Sequence, residues 1–113
     1  MHELSLCQSV IRALEDAAVA HGFARVRRVR LAVGVFAGVE PDALRFGFEV
    51  AAHGTLAEGA TLDILEVAGA GWCLDCNDTV ALAQRHDPCP RCGGHRLRLS
   101  AGGELRIQAL EVD

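Results

Sequence analysis

Apolar residues near the start of the chain recur at helical spacing. Cys7, Val10, Ile11, Leu14, Ala17 and Ala18 fall on one face, which predicts a helix from about Ser5 to Ala20. Ser5 and Gln8 have the spacing of a capping box, and His21-Gly22 supplies a stop. The period then changes to two. Val29, Leu31, Val33 and Val35 alternate with Arg28, Arg30, Ala32 and Gly34, as in a half-buried strand. Pro41 suits the first turn of a second helix running to about His53 and ended by Gly54. Leu44, Phe48, Ala51 and Ala52 form its inner face, and Phe46 and Val50 are expected to widen it into a well-covered helix. Thr61 to Val67 reads as a second strand. Thr79 to Gln84 and Arg96 to Ser100 read as two short ones, and Gly102-Gly103 as a hairpin turn. The last strand, Glu104 to Val112, keeps Leu105, Ile107 and Ala109 in phase and slips at Leu110 and Val112, which predicts a bulge or a change of partner. The pattern predicts an α+β fold: two helices on a small mixed sheet, with a four-cysteine zinc-ribbon module inserted before the last strand. The expected boundaries are residues 1–68 plus 101–113 for the α/β part and 69–100 for the module.

The module is set off by composition. Cys73-Leu-Asp-Cys76 and Cys89-Pro-Arg-Cys92 are two C-x-x-C pairs with twelve residues between them. Each pair places two thiolates on one tight turn, and two such turns complete a tetrahedron of soft donors that zinc accepts. Iron also suits four thiolates and is the competing metal. Four thiolates leave no open position for water, so the zinc is structural rather than catalytic. Gly93 follows the last cysteine, where a turn often needs positive φ. Cys7 falls on the apolar helix face and reads as a packed thiol. His86 and His95 flank the second pair, either as exposed loop residues or as groups that exchange with a thiolate or titrate near neutral pH.

Charge and length narrow the classes. The chain has 113 residues, half of them hydrophobic, which suits one small domain with an inserted module. The formal net charge is −4, although all eleven basic residues are arginine. An acidic total argues against a general nucleic-acid binder. Arg25, Arg27, Arg28 and Arg30 form one patch, and Arg85, Arg91, Arg96 and Arg98 surround the module. They keep open an alternative, a zinc ribbon that binds nucleic acid or protein. No tyrosine and one tryptophan leave few stacking platforms for that role. No nucleophile–base arrangement, phosphate loop or H-E-x-x-H motif marks an enzyme. No apolar run approaches the ~20 residues of a membrane span, and the charged first twenty residues do not read as a signal peptide. A cytoplasmic protein is expected, where paired cysteines indicate metal before disulfide.

Met1-His2-Glu3 offers a second donor set. The α-amine, the His2 amide and the His2 imidazole can close fused chelate rings, and the Glu3 amide can add a fourth nitrogen. Four nitrogens in a plane suit nickel(II) or copper(II) better than zinc. Three residues alone do not separate such a chelate from a chance histidine at position two.

The chain resembles the HypA/HybF family of hydrogenase nickel-incorporation proteins. The resemblance rests on MHELSL, EPDALRFGFEV, GTLAEGATLDI, GWCLDC, CPRCGGHRL and GGELRIQALEVD, and covers essentially the whole chain. It implies nickel as cargo at His2, with Met1 and Glu3 contributing amine or amide groups, and structural zinc at Cys73, Cys76, Cys89 and Cys92. It implies delivery of nickel to the large subunit of [NiFe]-hydrogenase, or to urease in some members, with a GTPase accessory protein as partner. It also implies that the last strand returns to the sheet of the nickel part. No nucleic acid or membrane is expected as partner. The oligomeric state is expected to be a monomer or weak homodimer, with exchange of the last strand between copies as one route to a dimer.

Overall fold

The computed structural model describes residues 2–113; Met1 lies outside the described residues. The elements run α1 (His2–His21), β1 (Val26–Gly34), α2 (Pro41–Ala52), β2 (Thr61–Val67), β3 (Ala70–Cys73), β4 (Asp78–Ala81), β5 (Leu97–Ala101) and β6 (Leu105–Val112). They form two three-stranded sheets, ordered β2-β1-β6 and β4-β3-β5.

α1 buries Cys7, Val10, Ile11 and Leu14, the face its spacing predicts. It starts at His2, three residues before the expected Ser5. Ser5 lies inside the helix, where its carbonyl accepts the Ser9 hydroxyl at 3.2 Å, so the Ser5/Gln8 capping box is not used. Glu3 supplies negative charge to the first turn instead, where the helix dipole favours it. Gly22, at φ +77, ends the helix by donating its N–H to the Ala18 carbonyl at 2.8 Å.

α2 is capped by Glu40, whose carboxylate accepts the Ala43 N–H at 2.8 Å, with Pro41 in the first turn. Leu44, Gly47, Phe48 and Ala52 are buried. Phe46 and Val50 do not widen the inner face: they are 69% and 48% exposed. Gly47 explains this. A Cβ there would lie 3.3 Å from the Cys7 sulfur and 3.5 Å from the Glu3 carbonyl oxygen, so α1 and α2 approach closely at Gly47. That approach turns Gly47 inward and leaves Phe46 and Val50 outside.

β1 is buried on both faces from Leu31 onward, beyond the simple alternation of its first half. The Val26 N–H bonds the Leu56 carbonyl just before β2, and the Val35 N–H bonds the Val67 carbonyl at its end, so β1 and β2 run parallel about the α2 crossover. Asp113 donates to Arg25 and Gly34 to Glu104, which sets β6 antiparallel to β1. The sheet is therefore mixed. In β6 the half-buried positions are Leu105, Ile107 and then Leu110, so the phase shifts after Ile107.

The chain divides into two compact units. One comprises the residues up to Leu31, Val39–Ile64 and Ile107–Asp113; the other comprises Ala32–Gly38 and Leu65–Arg106. The second holds the β4-β3-β5 sheet. β3, at its centre, pairs antiparallel with both neighbours, Trp72 facing Thr79 on one side and Arg98 on the other. The pattern of apolar residues missed β3 because it is only four residues long and contains a glycine and a cysteine. Gly102-Gly103 is not a hairpin turn between paired strands: β5 and β6 belong to different sheets. Gly102, at φ +111, instead packs against Phe36, where a Cβ would lie 2.7 Å from the ring and 2.9 Å from the Gly69 Cα.

Candidate metal centre

Two equivalent turns build the site. In the first, Cys73 ends β3, the Cys76 N–H points at the Cys73 sulfur at 3.4 Å, and the Asn77 N–H bonds the Cys73 carbonyl at 2.8 Å. In the second, the Gly93 N–H bonds the Cys89 carbonyl at 2.8 Å and the Gly94 N–H points at the Cys92 sulfur at 3.4 Å. Each turn closes on a residue in the left-handed region directly after its second cysteine: Asn77 at φ 53 and Gly93 at φ 74. Gly93 is legible in sequence as a turn glycine. Asn77 went unremarked, although asparagine is among the few non-glycine residues enriched at positive φ. The Cys89 N–H also bonds the Gly94 carbonyl, and the Leu74 N–H bonds the Arg96 carbonyl, which ties the turns to β5.

These turns bring all four sulfurs within 4.8 Å of one another. Cys73 and Cys92 lie 3.7 Å apart, Cys76 and Cys89 3.9 Å apart. A disulfide would need about 2.05 Å. Sulfurs held about 2.3 Å from a central zinc sit at tetrahedral edges of about 3.8 Å, so the donor set fits one zinc ion. The electrostatics agree. The Cys89 thiol is lowered to about 6, chiefly because the Cys92 backbone N–H donates to it. The Cys76 thiol is pushed up to about 12, first by its hydrogen bond with Cys92. Four thiols this close cannot all ionise without a cation between them, and zinc relieves that conflict by taking the thiolates as ligands. Cys73 and Cys89 are also buried in the unit's apolar core with Val80 and Leu82, and Phe36, Leu97 and Leu99 pack against them. Two of the four candidate ligands are thus core residues, while Cys76 is half-buried and Cys92 is exposed.

His86 and His95 are exposed and outside the four-sulfur group. Three of the four arginines around the module have acceptors on their own chain. Arg91 pairs with Asp78 and Arg96 with Asp75, at 2.8 and 2.9 Å, and Arg85 donates to the Phe36 carbonyl at 3.0 Å while lying over its ring. In the other patch Arg28 bridges Asp63 and Glu111, Arg27 pairs with Asp113, and Arg25 donates to the Glu58 carbonyl. Arg27, Arg28, Arg91 and Arg96 thus face carboxylates on their own chain, while Arg25 and Arg85 donate to carbonyls. Cys7 is buried, with its thiol 3.3 Å from the Leu44 carbonyl, and burial followed by the Glu3 charge pushes it up to about 11. It is a packed thiol, as its place on the apolar face predicts.

The expected nickel residues divide. Met1 lies outside the described residues. His2 and Glu3 open α1 together, with His2 Nδ1 3.7 Å from a Glu3 carboxylate oxygen. The same carboxylate accepts the Glu40 N–H at 3.3 Å, which holds Glu3 below the usual carboxylate range. As the first residues of a helix, His2 and Glu3 have amides with no intrahelical acceptor. The part played by Glu40 was not read from the sequence; its capping position before Pro41 was the available signal.

A mixed-sheet α+β unit and a second unit whose small sheet and turns bring four thiols together define a four-cysteine metal-binding protein. The chain belongs to the HypA family, described as hydrogenase/urease nickel incorporation, metallochaperone, which matches residues 1–112. It is 61% identical over 112 residues to the hydrogenase maturation factor HypA of Beijerinckia indica subsp. indica, covering 99% of each chain. It is 57% identical to that of Azorhizobium caulinodans, again over 99% of each. The fold matches the solution structure of the nickel metallochaperone HypA from Helicobacter pylori with a TM-score of 0.76 at 23% identity, covering 97% of this chain and 96% of that one. No helix among the described residues is long and apolar enough to cross a membrane.

Proposed function

We propose that this protein carries nickel(II) as cargo at its N-terminus and delivers it to the large subunit of [NiFe]-hydrogenase, in the cytoplasm and together with a GTPase accessory protein. The observation that carries the reading is the placement of His2 and Glu3 in the first turn of α1, in a chain that belongs to a nickel-incorporation family. Their amides are not engaged in the helix ladder, so deprotonating them for a metal breaks no helical hydrogen bond. The Met1 amine, the His2 amide and imidazole, and the Glu3 amide supply four nitrogens in the plane that nickel(II) favours. The Glu3 carboxylate stays outside that plane and anchors the segment to Glu40. Zinc at Cys73, Cys76, Cys89 and Cys92 is structural and holds residues 69–100 folded, while residues 1–68 plus 101–113 carry the nickel. Proton uptake by the amides, or a competing thiolate site on the client, releases the cargo. The test is a nickel titration of untagged wild type against His2→Ala, followed by hydrogenase maturation in cells at limiting nickel. The variant should lose nickel and maturation while keeping zinc and fold. Equal nickel binding and equal maturation would overturn the assignment.

A further inference from the structure

Beside Glu3 the surface opens into a groove between α1 and α2, lined by Glu3, Leu4, Ala43, Phe46, Gly47 and Val50. Its floor is apolar and uncovered: Phe46 and Val50 are among the large hydrophobic residues left exposed. Ala43, Gly47 and Val50 repeat at the spacing of one helix face, and Gly47 brings the two helices close enough to keep the groove shallow. Charge beside it is mainly acidic. Glu3 lines one end, and Asp42 and Glu49, exposed but outside the lining, flank Phe46 one turn away on the outer side of α2; the exposed Arg45 next to Phe46 donates to the Leu62 carbonyl at 2.8 Å, away from the groove.

We propose that this groove docks a helix of the protein that exchanges nickel with the chain, a helix presenting an apolar residue to Phe46 and Val50 and arginine or lysine to the rim. The proposal rests on the nickel-carrier reading, because the groove shares Glu3 with the metal-binding segment. Charge complementarity selects the occupant. A second copy docked through the same groove would bring two acidic margins, each with Glu3, Asp42 and Glu49, to one interface, and like charges there disfavour it. An apolar helix with basic flanks meets both the floor and the rim, in the helix-in-groove mode. Docking there places the exchanging partner's surface beside His2, where a transferred ion travels the least distance.

The test replaces Phe46 by p-benzoylphenylalanine in cells that make hydrogenase, irradiates them, and maps the cross-linked segment by mass spectrometry. A helical segment of a hydrogenase-maturation protein, with an apolar residue flanked by arginine or lysine, supports the assignment. A cross-link to another copy of this chain, to a neutral or acidic segment, or no cross-link above that of an Ala20 control, overturns it. The mapped segment is then synthesised as a labelled peptide and titrated against the full chain. Phe46→Asp should weaken its binding by about thirtyfold or more, as for the loss of a central aromatic anchor. Asp42→Lys with Glu49→Lys should weaken it and flatten its salt dependence. Unchanged affinity in Phe46→Asp contradicts the proposal. Nickel titration of the same variant separates the two claims. Wild-type nickel affinity in Phe46→Asp is expected of a docking residue, and its loss would place the groove in the metal site and overturn the docking role. Nickel binding by His2→Ala equal to that of wild type sinks the carrier reading instead.

Discussion

Gly69→Ala should be one of the most damaging single-methyl additions to this protein. A Cβ at Gly69 would fall inside contact distance of the Phe36 ring and 2.6 Å from the Leu82 carbonyl oxygen. The ring tip could swing aside, but the carbonyl is backbone at a strained approach, and the Leu82 N–H is itself bonded to the Gly69 carbonyl at 3.0 Å. Overpacking costs of about 1–3 kcal/mol are usual, and the upper end applies where backbone must move. Gly93→Ala is the control. Its added Cβ meets nothing, and its cost is the left-handed backbone alone, at φ +74, or about 1–2 kcal/mol. Trp72, the single tryptophan, lies on β3 in the same unit and reports unfolding by fluorescence in urea. Phe36→Ala in the Gly69→Ala background completes a double-mutant cycle. The two changes should be less than additive by about 1 kcal/mol, because truncating the ring removes part of the clash. Gly69→Ala as mild as Gly93→Ala, or strict additivity with Phe36→Ala, would refute the close packing on which this argument depends.

Purified protein should hold about one zinc per chain, and Cys73→Ala should lose it together with the native Trp72 emission while α1 keeps its helical circular dichroism; elemental analysis and the two spectra check this. Burial raises Cys7 from 9.0 to about 11, so between those values the unfolded chain holds fewer protons at this position than the folded one. Stability from this thiol is therefore present below pH 9 and lost as pH rises toward 11. Urea titrations across that range should show wild type losing stability relative to Cys7→Ala, and parallel curves would count against a protonated, packed thiol. Neutralising Glu3 by Glu3→Gln should loosen the Glu40 contact and weaken the N-terminal site while sparing zinc, as read by amide exchange at Glu40 and by metal analysis.

The metal turns were legible because their chemistry needs fixed residue types at fixed spacing: C-x-x-C twice, with Gly93 behind the second pair, whereas Asn77 behind the first carries no glycine signal. The helices and the longer strands were legible from period, from Pro41 and the stop glycines, and from β-branched and aliphatic composition, by which Thr61 to Val67 matches β2 end to end. What escaped the pattern depends on packing between distant segments. Phe46 and Val50 look like core by composition, and only the close approach at Gly47 turns them outward. Ser5 looks like a cap, but a helix can begin earlier when its first turn has charged and hydrogen-bonded partners such as Glu3. Gly102-Gly103 looks like a hairpin because glycine pairs mark turns, whereas here Gly102 makes room for Phe36, and the strands on either side of the pair belong to different sheets. The arginine patches leave a nucleic-acid or protein-binding alternative open in the sequence, and the carboxylates that four of them face, Asp63, Asp75, Asp78, Glu111 and Asp113, come from distant parts of the chain that no local pattern pairs with them.

The central claim is that two metals use two chemically distinct sites, nickel on N-terminal nitrogens and zinc on four sulfurs. X-ray absorption at both edges of untagged protein loaded with one zinc and one nickel tests it most directly. The account predicts a zinc spectrum of four sulfurs near about 2.3 Å and a planar nickel spectrum of nitrogen donors with imidazole scattering that disappears in His2→Ala. Sulfur in the nickel shell, or a nickel spectrum unchanged in His2→Ala, would contradict it.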